Sequence, residues 1–226
     1  MPQTHVPIAL TIAGSDSSGG AGIQADLKTF SAFGVYGASV ITALTAQNTR
    51  GVSGVHQVPV SFIAAQFEAV MSDLTVTAIK TGMLGDAPTV RTVAACLASH
   101  PTIPVVVDPV MVATSGDVLL DPDAIIAVRE LLIPRAALIT PNLPEAAKLL
   151  DASIAASEDA IIEQARALQR LGCTTVLIKG GHGEGGEAVD ILFSEDEVHR
   201  FVRARIAYFH QVGYYALGVK EIVIGM

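Results

Sequence analysis

Short apolar runs alternate along this chain with longer stretches in which apolar residues recur every three to four positions. Residues 7–13, 38–44, 77–81, 105–108, 137–140, 175–179 and 189–193 have the length and content of buried strands. Between them, residues 21–33, 61–74, 87–99, 122–132, 143–150 and 158–171 carry helical spacing. In the first of these, Ile23, Leu27, Phe30 and Phe33 fall on one face, and Gly34 is expected to stop the helix. Strand and helix in alternation predict an α/β sandwich with a mostly parallel central sheet. No internal repeat or low-complexity linker interrupts the pattern before about residue 205, so a single domain is expected.

Composition narrows the picture. Half of the residues are hydrophobic, 16% are charged and Trp is absent, so Val, Ile, Leu and Ala must fill the core. A net charge of −8 without any basic run argues against a nucleic-acid surface. No apolar run is long enough to span a membrane, and the first five residues lack a signal pattern, so the cytoplasm is expected. Cys96 and Cys173 lie far apart without metal spacing and are expected to be reduced, buried hydrophobes. None of the six His has ligand spacing.

In open parallel sheets ligands bind beyond the carboxyl ends of the strands, and the polar signals here follow strands. Residues 14–22, Gly-Ser-Asp-Ser-Ser-Gly-Gly-Ala-Gly, join the first strand to the first helix, where glycine amides and a helix terminus suit an anion or a polar ring edge. A dinucleotide fingerprint is excluded, because no Asp or Glu lies between Asp26 and Glu68 to hold a ribose. A Walker-type loop is excluded because Gly is nowhere followed by Lys. Asp26, early in the helix, reads either as a favourable charge in the helix dipole or as an acceptor for a substrate hydroxyl. Gln47 follows an apolar strand and reads as a loop cap or as a donor–acceptor pair for an aminopyrimidine edge. Asp108 ends a buried strand, where a carboxylate needs a cation, amide or metal partner. Asn142 and Glu145 have the spacing of a capping box, and Glu145 is also a candidate for magnesium-bound water. Lys179 ends an apolar strand ahead of glycines and reads as a surface lysine or as a phosphate counter-charge.

Taken together, residues 9–16, 18–29, 45–49, 80–84, 108–111, 140–146 and 179–182 resemble the hydroxymethylpyrimidine kinases of the ribokinase-like superfamily, over roughly residues 5–206. The resemblance implies ATP-dependent phosphorylation of 4-amino-5-hydroxymethyl-2-methylpyrimidine and then of its monophosphate, in thiamin biosynthesis. It also implies magnesium, a three-layer ribokinase-like fold and a homodimer. By the match, Ala21, Asp26, Gln47, Met83 and Val110 line the pyrimidine pocket. Asp108, Asn142 and Lys179 serve ATP and its phosphates, with Asp108 and Glu145 at the magnesium.

One departure stands out. The family's Gly-Thr-Gly-Cys catalytic loop is expected after Ala207, where this chain instead runs Tyr208-Phe209-His210-Gln211-Val212-Gly213. A kinase domain over residues 1–207, C-terminally incomplete, followed by a divergent tail over 208–226, is therefore expected, with no residue assigned as catalytic. An impaired kinase, a non-catalytic pyrimidine-binding relic and a pyridoxal-type kinase are the readings left open, the last disfavoured by Gln47 and the Gly19–Gly22 segment.

Overall fold

The computed structural model describes residues 6–111, 121–182 and 186–204. The first half runs β1 (Ile8–Asp16), α1 (Gly22–Ala32), β2 (Tyr36–Asn48), β3 (Gly51–Gln57), α2 (Val60–Met71), β4 (Ala78–Thr81) and α3 (Ala87–Ala98). The second half runs β5 (Val105–Val107), α4 (Pro122–Ala127), β6 (Leu138–Ile139), α5 (Leu143–Leu150), α6 (Glu158–Gln169), β7 (Thr175–Ile178), β8 (Glu187–Ser194) and β9 (Glu197–Ala204). The seven strands and six helices expected from periodicity are all present. The expected tail, residues 208–226, lies outside the described residues.

Among the described residues the strands form one mixed sheet in the order β3-β2-β1-β4-β5-β6-β7-β8-β9. From β2 to β7 every pairing is parallel, while β3, β8 and β9 attach antiparallel at the two sides. The chain leaves β1 in one direction to reach β2 and then returns past β1 to β4. That reversal opens a crevice beyond the carboxyl ends of β1 and β4, the usual ligand position in such sheets. Leu10, Ile12, Val40, Ile79, Val105, Val107, Ile139, Val176 and Ile178 build the buried sheet layer, packed against Ile63, Phe67, Val90, Leu97, Leu149 and Leu168 from the helices.

Two strands escaped the sequence pattern. β3 is mostly exposed and contains Gly51 and Gly54, so it lacks the apolar alternation that marks a half-buried strand. It forms because a two-residue turn at Thr49 and Arg50 folds it back on β2. β9 is likewise mostly exposed, without a regular apolar alternation, and is joined to β8 through Glu195 and Asp196, both at positive φ as a primed hairpin turn requires. The helix expected over 122–132 is α-helical only to Ala127. Val128–Leu132 widens into a π-type turn and Ile133–Arg135 tightens again, because Pro134 can neither donate a helical N–H nor fit against the preceding turn.

The starts of α3, α4, α5 and α6 are locally encoded by capping side chains. Asp86 caps α3 by accepting from Thr89 N–H at 2.9 Å. Replacing it with Ala should lower stability by about 1 kcal/mol, read as a lower urea midpoint with an unchanged slope.

Candidate active site

The loop between β1 and α1 is organised around Asp16, which is 2% exposed. Its carboxylate accepts from Ser18 N–H and Ser18 Oγ at 2.8 Å each, from Gly20 N–H at 2.9 Å and from Ala21 N–H at 2.8 Å. Burial alone would raise its pKa, but the Ser18 hydroxyl and the three N–H groups together hold it below the usual carboxylate value. The loop amides that glycine content suggested for a ligand are therefore largely used by the chain itself. Gly22 sits at φ +56, and a Cβ there would come 2.3 Å from the Gly14 carbonyl, so the turn into α1 demands glycine.

Gln47 lies within β2, not in a loop, at an irregularity in the β2–β3 ladder. Ser17 holds its backbone from both sides, accepting from Gln47 N–H at 2.9 Å and donating to its carbonyl at 2.7 Å. Thr45 Oγ1 donates to the Ser15 carbonyl at 2.7 Å and stands 3.1 Å from Gln47 Oε1. The side-chain amide is thus oriented at the rim of the glycine loop. Met83 borders the same loop: its carbonyl accepts from Gly14 N–H at 3.1 Å and Thr42 Oγ1 at 2.7 Å, and its Cε would collide with any Cβ at Gly14. Ala21 occupies the N-cap position of α1, and Val110 lines a small concavity with Asp108, Gly82 and Thr81.

The charged residues meet one layer inward. Thr11 and Lys80 are opposite in the β1–β4 register, so both side chains project from one face of the sheet. Lys80 Nζ bonds both oxygens of Asp26 on α1, at 2.9 and 3.0 Å, and Thr11 Oγ1 donates to Asp26 Oδ2 at 2.6 Å. Lys80 Nζ also stands 3.8 Å from Asp108 Oδ2. The other oxygen of Asp108 accepts from Lys179 Nζ at 2.8 Å and from Thr140 Oγ1 at 3.1 Å. Asp26 lies a full turn into α1 with a lysine partner, so its place is not explained by the helix dipole. Lys80 was not singled out from the sequence. The usable signal was a cation inside an apolar strand, which must find a carboxylate.

Burial opposes ionisation of both central groups and loses. Lys80 is held above its ordinary pKa by Asp26 and then Asp108, and Asp108 is held below its own by Lys179 and then Lys80. Glu145 behaves in the opposite sense. It completes the capping box of α5, accepting Asn142 N–H at 2.8 Å while Asn142 Oδ1 accepts Glu145 N–H at 2.9 Å. Burial pushes its carboxyl up to about 7, with Lys179 pulling down and Asp108 pushing further up. Lys179 itself is placed by backbone: its N–H donates to the Pro141 carbonyl at 2.8 Å, and the next residue, Gly180, donates to Asp190 Oδ1 at 2.8 Å. A Cβ on Gly180 would lie 1.9 Å from the Val189 carbonyl, so β8 fixes where the Lys179 turn runs. Elsewhere, burial raises the Cys173 thiol to about 11, which makes it an unreactive core residue.

A family model described as phosphomethylpyrimidine kinase matches residues 16–214. The hydroxymethylpyrimidine/phosphomethylpyrimidine kinases of Escherichia coli and Rhizobium meliloti are 53% and 55% identical, each covering 88% of this chain and matched over 74% of their own length. A thiamine biosynthesis bifunctional protein of Geobacter sulfurreducens is 56% identical over 87% of this chain, which spans 40% of that longer protein. Among solved structures, a phosphomethylpyrimidine kinase from Clostridium difficile superposes with a TM-score of 0.82 at 43% identity, covering 96% of this chain and 95% of the other. An ADP complex of Bacillus subtilis pyridoxal kinase gives 0.86 at 36% identity, over 98% and 85%.

The Glu145 environment has a measurable signature. Between about pH 4.5 and 7 the folded chain keeps a proton on Glu145 that the unfolded chain releases, so stability falls as pH rises through that window. Asp108 acts oppositely, its share being lost as pH drops below the ordinary carboxyl value. In chelator-containing buffer, Glu145→Gln should remove a decline on the order of 3 kcal/mol by neutrality. Urea unfolding of both proteins across the window checks it, and parallel pH profiles would refute it.

Proposed function

The chain belongs to the phosphomethylpyrimidine kinase family, and we propose that it transfers the terminal phosphoryl group of ATP to the hydroxymethyl oxygen of 4-amino-5-hydroxymethyl-2-methylpyrimidine, and then to the monophosphate, in thiamin biosynthesis. The observation that carries this is the convergence of Asp26, Lys80, Asp108 and Lys179 in one run of ion pairs at the sheet's carboxyl edge, beside a rim that presents Gln47. Phosphoryl transfer asks the protein mainly for placement and charge compensation, and such an arrangement supplies both.

In this reading the Gln47 amide pairs with the aminopyrimidine edge, Ala21, Met83 and Val110 enclose the ring, and Asp26 accepts from a substrate hydroxyl. Lys179 offsets phosphate charge. With Oδ1 of Asn142 used in the helix cap, its NH2 end is the part left to face a phosphate oxygen. Magnesium fits the donor set. Among the described residues no three His, Cys, Asp or Glu side chains form a metal cage, but this ion usually takes only one or two carboxylates plus phosphate and water. Asp108, just past β5, and Glu145, in the first turn of α5, are those carboxylates, and Glu145, whose carboxyl burial pushes up to about 7, would gain from an added cation. When bound, the ion would neutralise phosphate charge.

No described helix is long and apolar enough to cross a membrane. We place the protein in the cytoplasm as a homodimer, for which light scattering should give twice the chain mass.

Turnover tests the reading. The chain should consume ATP with the pyrimidine alcohol, and pyrimidine binding without transfer would replace kinase by binding protein. Because pyridoxal kinases superpose as well as the pyrimidine kinase does, pyridoxal is the rival substrate. Its kcat/KM should be at least about tenfold lower, since it cannot satisfy the Gln47 donor–acceptor pair. Gln47→Ala should raise the pyrimidine KM about tenfold or more with the ATP KM nearly unchanged. Lys179→Met should lower kcat by about 10²-fold or more.

A further inference from the structure

Asp108 has a cation on each oxygen. Lys179 takes Oδ1 at 2.8 Å and Lys80 stands 3.8 Å from Oδ2. The two lysines are built differently. Lys80 projects from the interior of β4, paired on one side with β1 and on the other with β5. Its ammonium is anchored by both oxygens of Asp26, which Thr11 fixes in turn. Lys179 lies one residue beyond the end of β7, ahead of Gly180 and Gly181. One lysine is bound into the sheet, and the other is mounted at its rim.

We propose that Lys80 is a positioning residue, the counter-ion that stays with Asp108 when Lys179 turns to the phosphates of a nucleotide. This rests on the functional reading above, which supplies the destination of Lys179. The physical need is plain. A buried carboxylate stripped of its only cation is strongly destabilising, so before magnesium is bound a Lys179 that were the sole partner of Asp108 would be held in place. Lys80 already sits within ion-pair range of the oxygen that Lys179 does not use. As Lys179 leaves, Lys80 closes on Asp108 while keeping Asp26, and Thr140 continues to donate to Oδ1. Asp26, Asp108, Lys80 and Lys179 form the ion-paired run, with Glu145 beside it feeling both Asp108 and Lys179, and when Lys179 turns to phosphate Asp26 and Asp108 still share Lys80. Lys80 acts through Asp108 and Lys179, and it touches neither substrate nor phosphate.

The test is calorimetric titration with a non-transferable imido analogue of ATP and, separately, with adenosine. Lys80→Met alone strands Asp26 and is prone to unfolding. The double variant Asp26→Asn/Lys80→Met removes both charges and leaves Thr11 a side-chain partner at position 26. The folded double variant should bind the triphosphate at least about tenfold more weakly than wild type with adenosine affinity unchanged, and Lys80→Arg should stay within about threefold. A folded double variant with wild-type triphosphate affinity overturns the proposal. Equal weakening toward adenosine and triphosphate also overturns it, because that is the mark of a merely structural lysine. Lysine-selective NMR on the wild type needs no substitution at position 80. The triphosphate should shift the Lys179 ammonium resonance, assigned through Lys179→Arg, and a resonance that does not move overturns the handover. A wild-type chain that binds no nucleotide sinks the functional reading as well, whereas binding without a variant effect sinks the Lys80 role alone.

Discussion

A buried carboxylate shared between two lysines sets the terms for this structure. Moving a carboxylate and an ammonium out of water costs several kcal/mol per ion, and the attraction between them offsets that only when the geometry is good. Asp108 meets the condition with Lys179 at 2.8 Å, Lys80 at 3.8 Å and the Thr140 hydroxyl at 3.1 Å. Those partners come from β4, the end of β6 and the end of β7. They reach one point only if β4, β5, β6 and β7 lie side by side, parallel and in the observed register. A slip of one residue in β4 would turn Lys80 to the opposite face and put Thr81 in its place. The ion pairs thus pin the same register that the apolar core selects.

Three carboxylates near this edge are treated in three ways, and the difference separates structure from chemistry. Asp16 is saturated by neutral donors and kept ionised, which makes it a scaffold for the loop. Asp108 is balanced by lysines. Glu145 receives backbone donors but shares the neighbourhood of Asp108, and it is pushed to about 7. Of the three it has the most to gain from an added cation, because its ionised form is the least compensated. The capping box seen in the sequence and the ion-binding role proposed for Glu145 therefore belong to one side chain without conflict.

How much of this could be read from residue order depended on whether a local pattern carried the information. The capping box of Asn142 and Glu145 is local, and it appeared where its spacing put it. Asp108 was legible because a carboxylate closing the run Val105–Val107 must have a partner, although nothing local said which. Lys80 and Asp26 are 54 positions apart, and their bond is set by β1–β4 pairing and the seating of α1, neither of which a single sequence states. Asp26 consequently read from sequence as a dipole charge or a substrate acceptor, with nothing to name its lysine partner. β3 and β9 were missed for a related reason: as exposed outer strands they are fixed by hairpin turns and ladders, not by burial, and leave no periodic trace.

The glycine loop changes what kind of recognition this edge can offer. Glycine-rich loops that cradle phosphates do so with unspent backbone N–H groups. Here the N–H groups of Ser18, Gly20 and Ala21 are bonded to Asp16, and Lys28 Nζ ties the Gly19 carbonyl at 2.7 Å. Those internal bonds set the shape of the loop, so binding has little left to order there and little of that entropy to lose on association. In the proposed reading, phosphate charge is therefore met mainly by side-chain cations such as Lys179, which here pairs with Asp108 at 2.8 Å. In that reading the loop serves as a wall, and Met83 and the oriented amide of Gln47 beside it would select a flat, polar-edged ring.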